Sequence, residues 1–178
     1  MSELLVSDTS VLIDLERGGI LAALFQLPYT VGVPDLLFQR ELSTWEDADW
    51  HRFGLKVLEL DDAGVALAQT YRSRDRRLSA ADAFALALAK RGPHILLAGD
   101  GAVRAMADVE GVHCHGVLWV LDELSRCGTL NPRQLHEALR AVSAHPRCRL
   151  PTVEVRRRLD RYQRQVSHSE IGEKENGN

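Results

Sequence analysis

The strongest constraint on how this chain can fold is an alternation. Short apolar runs of strand length recur between longer stretches with helical spacing. Leu4-Leu5-Val6, Tyr29-Thr30-Val31 and Ile95-Leu96-Leu97-Ala98 are too short for helices and show little polar alternation. Runs of that kind are strands buried on both faces. Lys56 to Leu60 reads as an edge strand, and Val112-His113-Cys114 as a last short one. Strands separated by helices specify an α/β architecture with a parallel sheet covered on both sides.

The helices carry their own punctuation. Thr9 or Ser10 can cap a helix beginning near Val11 and ending at Gly18-Gly19. Pro34 suits the first turn of a helix through Leu37 and Glu41. Asp61 or Asp62 caps the helix from Ala63 to Tyr71. Ser79 opens SAADAFALALAK, apolar on nearly every side and therefore interior. Asp100 leads into a helix with Val103, Met106 and Ala107 on one face, and another helix spans Val117 to Leu124. Asn131-Pro132 is an N-cap followed by proline, and a basic helix spans Val153 to about Gln165. The remainder, VSHSEIGEKENGN, is polar and is expected to fray from residue 166 onward.

Composition narrows the function classes. Hydrophobic residues make up 45% of 178, enough for a core without staples. A net charge of −3 argues against a nucleic-acid binder that works by bulk charge, though local patches of either sign are compatible with it. Cys114, Cys127 and Cys148 are an odd, scattered set that does not make a disulfide framework. The N-terminus lacks the charged start and apolar run of a signal peptide, and no apolar stretch approaches the roughly 20 residues of a membrane span. A soluble, reduced, cytoplasmic protein is expected.

Asp8 and Asp100 each follow a strand, which sets both at the carboxyl rim of the sheet, where ligands gather. Either acid could simply cap its helix, and Asp82, three residues after Ser79, fits a capping box. Glu41 is harder to explain that way. On a helix its neighbours are Leu37, Phe38 and Trp45, so it interrupts an apolar stripe. A buried carboxylate needs a partner, and no single lysine or arginine serves all four. A divalent cation would offset the converging charges. All-oxygen ligation favours magnesium or manganese over zinc. Such an ion activates water and neutralises charge on a scissile phosphate.

At these residues the chain resembles the PIN-domain family. VSDTSVLIDL resembles its opening motif, VPDLLFQREL its second, LSAADAFALALAK its third and LLAGDGAVRAMA its fourth, with GVHCHGVLWVLDEL similar to the closing strand and helix. The likeness covers roughly residues 3 to 125. It implies a three-layer α/β/α sandwich with a central, mainly parallel sheet, and a magnesium- or manganese-dependent ribonuclease whose metal-site acids are Asp8, Glu41, Asp82 and Asp100. Ser10 would be a supporting hydroxyl. Small bacterial members resemble VapC toxins, which implies an RNA substrate, a cognate antitoxin protein, a homodimer and no membrane. Ala98 stands where many members have Thr or Ser, which removes one hydrogen bond around the site. The expected organisation is a nuclease domain over 1–125, a helical extension over 126–165 and a disordered tail over 166–178.

Other features are weighed beside these. Arg72, Arg74, Arg76 and Arg77 precede Asp82 and could grip RNA phosphates, or form an ordinary solvated connector. Arg156, Arg157, Arg158, Arg161 and Arg164 make the last helix basic, most simply as a solvated face. His113-Cys114-His115 has no second pair at metal spacing, so a strand end is preferred to a zinc site. Trp119 reads as core, and Asp14 and Asp122 as exposed helix acids. A PIN fold kept as a non-catalytic RNA- or protein-binding module is the competing reading. An aspartate-nucleophile phosphotransferase lacks its D-x-D-x-T start here, and no phosphate-cradling G-x-x-x-x-G-K-[ST] loop occurs.

Overall fold

The computed structural model describes residues 3–45 and 49–175, with side chains through residue 168. In chain order the elements are β1 (Leu4–Ser7), α1 (Thr9–Arg17), α2 (Leu21–Leu24), β2 (Thr30–Pro34) and α3 (Asp35–Leu37), which runs into a π-helix over Phe38–Leu42. Then come α4 (Trp50–Phe53), β3 (Lys56–Leu58), α5 (Asp62–Arg74), α6 (Ala80–Lys90) and β4 (Ile95–Leu97). α7 (Gly101–Glu110), β5 (Cys114–His115), α8 (Val117–Arg126), α9 (Pro132–Ala144) and α10 (Thr152–Glu175) complete the described chain.

The strands form one five-stranded sheet in the order β3-β2-β1-β4-β5, and every pairing is parallel. β1 is central, with Leu5 opposite Val31 on one side and Ile95 on the other. Leu5, Val6, Val31, Val33, Leu96 and Leu97 are all buried, as strands covered on both faces must be. Helix α6 packs on β1, β2 and β4 and is flanked by α3, α5 and α7. Its alanines at 81, 83, 85, 87 and 89 are buried alongside Leu86 and Leu88, so the small side chains fill an interior helix rather than a surface one. Helices α1, α2 and α8 pack together as the other layer. The fold is a three-layer α/β/α sandwich around an all-parallel sheet.

The C-terminal helices lie against this sandwich. Leu135, Ala138, Leu139 and Val142 of α9 are buried, and α9 packs on α1 and α8. Gly18 permits the approach: a Cβ there would come within 3.2 Å of Val142 Cγ2. Helix α10 packs on α9, burying Tyr162. It is pinned to α8 by Arg158 and Arg161, which reach Asp122 at 2.6 and 2.7 Å.

Several local expectations are corrected. Asp8 caps α1, in place of Thr9 or Ser10, because its carboxylate accepts from the Val11 amide. The helix expected from Pro34 through Glu41 breaks into α3 and the π-helix. The last strand begins at Cys114 rather than Val112. The chain expected to fray from residue 166 continues as helix to Glu175, while residues 176–178 lie outside the described residues. Asp122, Arg158 and Arg161 are ion-paired with one another rather than solvated. No helix among the described residues is long and apolar enough to cross a membrane.

Candidate active site

The strand order places a crevice before any side chain is considered. From β1 the chain steps to β2 on one side, while β4 pairs on the other. In open parallel sheets such a switch point opens a cleft at the carboxyl ends of the two strands. Asp8 is the residue immediately after β1, and its amide donates to Leu97 O at 2.8 Å, tying the ends of β1 and β4 together. Asp100 follows β4 by three residues.

Asp8 is sealed in, with 1% of its surface exposed. Its Oδ1 accepts from Ser10 Oγ at 2.8 Å and from the Val11 amide at 3.1 Å. Its Oδ2 is buried and has no hydrogen-bond partner. Burial pushes the carboxyl up to about 7, with the Asp82 charge adding to the rise; hydrogen bonds from Ser10 and Val11 act in the opposite direction, as does, last in size, the nearby Gly99 amide dipole. Ser10 Oγ in turn accepts from the Gly99 amide at 2.9 Å. Glycine is needed there, since a Cβ at 99 would fall 2.8 Å from that hydroxyl.

The other three acids stand on different elements. Glu41 stands in the π-helix, where the wider turn shifts side chains off the ordinary helical register. It is half-buried, and Thr9 Oγ1, in the first turn of α1, donates to its Oε2. Asp82 forms the reciprocal half of a capping box: its Oδ2 accepts from the Ser79 amide at 3.0 Å, and its own amide donates to Ser79 Oγ at 3.1 Å. Asp100 caps α7, with Oδ1 accepting from the amides of Ala102 at 2.8 Å and Val103 at 3.4 Å.

A common pattern emerges. Each acid commits one oxygen to the fold and leaves the other, Asp8 Oδ2, Glu41 Oε1, Asp82 Oδ1 and Asp100 Oδ2, without a hydrogen bond among the described residues. Capping and ligand binding are therefore not rival roles for these residues. A cap, or the Thr9 hydroxyl in the case of Glu41, holds one oxygen of each and leaves the other available.

Among the described residues, no three Asp, Glu, His or Cys side chains come close enough together to hold an ion between them. Asp100 lines the cleft, Asp82 lies close enough for its charge to act on Asp8, and Glu41 is joined to α1 through Thr9. A hard cation such as magnesium does not need a closed cage, since it takes one or two carboxylates and completes its shell with waters and substrate phosphate. Asp8 and Asp82, which feel each other's charge, are the pair that fits it, and the orphaned Asp8 Oδ2 is the contact such an ion would satisfy.

The arginines sort into two groups. In the connector before Asp82, Arg74 pairs with Glu110 at 2.8 Å and Arg77 makes a forked contact with Asp75, its closest nitrogen at 2.7 Å. Arg77 also senses Asp100, more weakly than Asp75. Arg72 and Arg76 are exposed and carry no ion pair among the described residues. The second group lies on the other side of Asp100. A cleft of about 650 Å³ runs from Ser10 and Asp100 to the α9–α10 connection, and Arg104, Arg147 and Arg149 line it. So do His115 and Trp119, whose rings stack with centroids 4.6 Å apart and planes within 9°. Neither the tryptophan, read as core, nor the histidine, weighed only as a zinc ligand, was attached to the site by sequence. The one hint was Arg147 and Arg149 alternating in a short linker.

Asp8 and Asp100 thus stand at the switch point of a parallel sheet, with a basic, aromatic cleft beside Asp100. A family model for DUF3368, described as a PIN domain, matches residues 4–164. The chain belongs to the PIN-domain family, whose fold is that of nucleases. The match runs well past residue 125, so α9 and the first half of α10 belong to the matched region. No curated protein matches the chain.

Proposed function

We propose that the protein is a magnesium- or manganese-dependent endoribonuclease that hydrolyses RNA phosphodiester bonds. The observation carrying this reading is the buried Asp8 Oδ2, left without a partner at the switch point and within reach of the Asp82 charge. A buried charged oxygen without a partner is costly, and a cation removes that cost. Asp8 and Asp82 would hold the ion, with Glu41 and Asp100 completing the acidic ring. When bound, the ion supplies activation of a water and neutralisation of charge growing on the scissile phosphate. The chain's residues do the rest. Ser10 fixes the plane of Asp8, Thr9 holds Glu41 by one oxygen so that the other can orient a water, and the Ser79 amide aims Asp82. Arg72 and Arg76 remain free to meet RNA phosphates from the connector side.

The test is cleavage of RNA by the purified full chain in manganese. Asp8→Asn and Asp82→Asn should each keep the circular dichroism of the parent and lose about two to three orders of magnitude in rate. Mutants that cut as fast as the parent overturn the assignment.

A second reading, a non-catalytic PIN-fold module binding RNA or protein, is favoured by one observation: among the described residues, no three acids close on a common point. It is distinguished by RNA binding that persists without any manganese-dependent cleavage. The resemblance to VapC toxins extends the leading reading to the toxin of a toxin–antitoxin pair, working in the cytoplasm as a homodimer. A short adjacent reading frame whose product suppresses cleavage on co-expression supports that extension, and a neighbourhood without one removes it.

A further inference from the structure

We infer that the cleft between α1 and the α9–α10 connection is the seat of a single-stranded RNA segment flanking the scissile phosphate. In it, bases rest on the His115–Trp119 stack, and Arg147 and Arg149 hold the backbone. The inference deepens the proposed activity and rests on it for the identity of the scissile bond.

Four observations converge on this cleft. It adjoins the site, because Asp100 and Ser10, the hydroxyl that braces Asp8, both line it. Its volume of about 650 Å³ is that of a small-ligand site, too confined for a duplex and suited to a strand threaded as single nucleotides. Its charge is unspent. Arg147 and Arg149 form no ion pair among the described residues, and Arg104 donates only to the Ala98 carbonyl at 3.2 Å. The acids in the cleft are Asp100 and Asp14, and Asp14 is already matched by Arg17 at 3.2 Å. Finally, the half-buried His115 and Trp119 form a rigid π surface, with Tyr29 tilted against Trp119 at 5.9 Å behind them.

Arginine beside stacked aromatic rings is the composition that holds single-stranded nucleic acid, because every base has a π face and every linkage a charge. The connector offers charge without rings: Arg74 and Arg77 are neutralised by Glu110 and Asp75, and no ring stack accompanies the unpaired Arg72 and Arg76 among the described residues. The proposal also gives the C-terminal helices a purpose. Packing of α9 on α1 and α8 and of α10 on α9 fixes the loop that carries Arg147 and Arg149.

The inference is tested by fluorescence anisotropy of a labelled, mixed-sequence single-stranded RNA with the full chain in EDTA, where cleavage is off. The parent should bind it more tightly than a duplex of the same sequence. Arg147→Ala with Arg149→Ala should weaken binding tenfold or more and reduce the salt slope by about 1.4, at about 0.7 for each phosphate no longer neutralised. Trp119→Leu should weaken it by about fivefold to a hundredfold, while Trp119→Phe, which keeps a ring, should hold near-parental affinity. Circular dichroism confirms that each variant is folded. No binding by the parent, a preference for duplex, or cleft variants that leave affinity and salt slope unchanged overturns the inference. So does competition from an acidic peptide that these variants abolish while RNA binding stays intact. The two levels of the account separate cleanly. A parent that binds in this pattern yet never cuts in manganese defeats the proposed activity alone, and one that cuts while ignoring the cleft substitutions defeats the cleft alone.

Discussion

Asp8 and Asp122 are both shielded aspartates at helices of the same layer, and the protein treats them in opposite ways. Asp122 sits under α10 with Arg158 and Arg161 on it. Burial pushes its carboxyl up, but hydrogen bonds and charge from the two arginines outweigh that and hold it below the usual value. Asp8 is buried more completely and receives two hydrogen bonds on one oxygen and none on the other, and its carboxyl rises to about 7. One acid is finished by the fold and fastens a helix. The other is left incomplete at the one place where the topology opens a crevice. The contrast separates a carboxylate satisfied by the fold from one left unsatisfied more sharply than burial alone.

The two acids should answer pH and mutation with opposite signs. For Asp8, the folded value lies above the unfolded value of 3.8, so the metal-free protein loses stability as pH rises from about 4 to about 7 and carries the full penalty above that. At about 1.4 kcal/mol per pH unit, that penalty is up to about 4 kcal/mol. Urea unfolding of metal-free Asp8→Asn should show this pH-dependent fall removed, with the mutant more stable than the parent at pH 8. A mutant uniformly less stable at every pH would erase the distinction.

Asp122→Ala should instead destabilise at neutral pH by about 2 kcal/mol, because it leaves the largely buried Arg158 with Glu154 alone and unties α10 from α8. The parent's stability from this pair is present above pH 3.8 and lost as pH falls through the lower folded value. RNA cleavage per folded molecule, away from saturation of the cleft, should stay within about twofold of the parent, since Asp122 touches none of the four acids.

A smaller effect is expected one bond away from Asp8. Ser10→Ala removes the hydroxyl that sets the Asp8 plane, and Gly99→Ala pushes that hydroxyl aside. Each should lower manganese-dependent cleavage by about tenfold to a hundredfold, and the double mutant should do little more than either alone, since both act through the same hydrogen bond. Full additivity would mean that Gly99 serves something other than Ser10. At the bottom of the scale, Arg77→Ala breaks an exposed pair with Asp75 and should shift thermal stability by no more than about 0.5 kcal/mol. A larger change would assign that connector a structural duty it does not show.

Much of this was legible in the chain. The strands announce themselves as short apolar runs, and Asp8 and Asp100 as the residues just past two of them, so the carboxyl-edge crevice follows from order alone. The capping box at Ser79–Asp82 and the N-cap at Asn131 are local patterns and read correctly for that reason. What escaped depends on geometry without a local code. No residue type marks the π-turn that carries Glu41, and a helical register assigns its neighbours differently. The cap of α1 fell to Asp8 because the strand ends one residue before the helix begins, a boundary that three adjacent polar residues, Asp8, Thr9 and Ser10, leave ambiguous. The cleft escaped most completely, since its walls come from α1, the β4–α7 turn, β5, α8 and the loop before α10. Residues scattered from 10 to 151 carry no joint signal. Residues 166–175 continue as helix because α10 is already nucleated on α9, and extending a helix costs far less than starting one.

The central claim is that the spare oxygens at the switch point exist to hold a cation, and isothermal titration calorimetry of manganese into the metal-free full chain near pH 7 addresses it directly. The account predicts saturable binding accompanied by proton release, visible as a dependence of the heat on the buffer's ionisation enthalpy, because Asp8 must give up its proton to ligate. Both binding and proton release should vanish in Asp8→Asn. Absence of binding in the parent, or equal binding in the mutant, would contradict it.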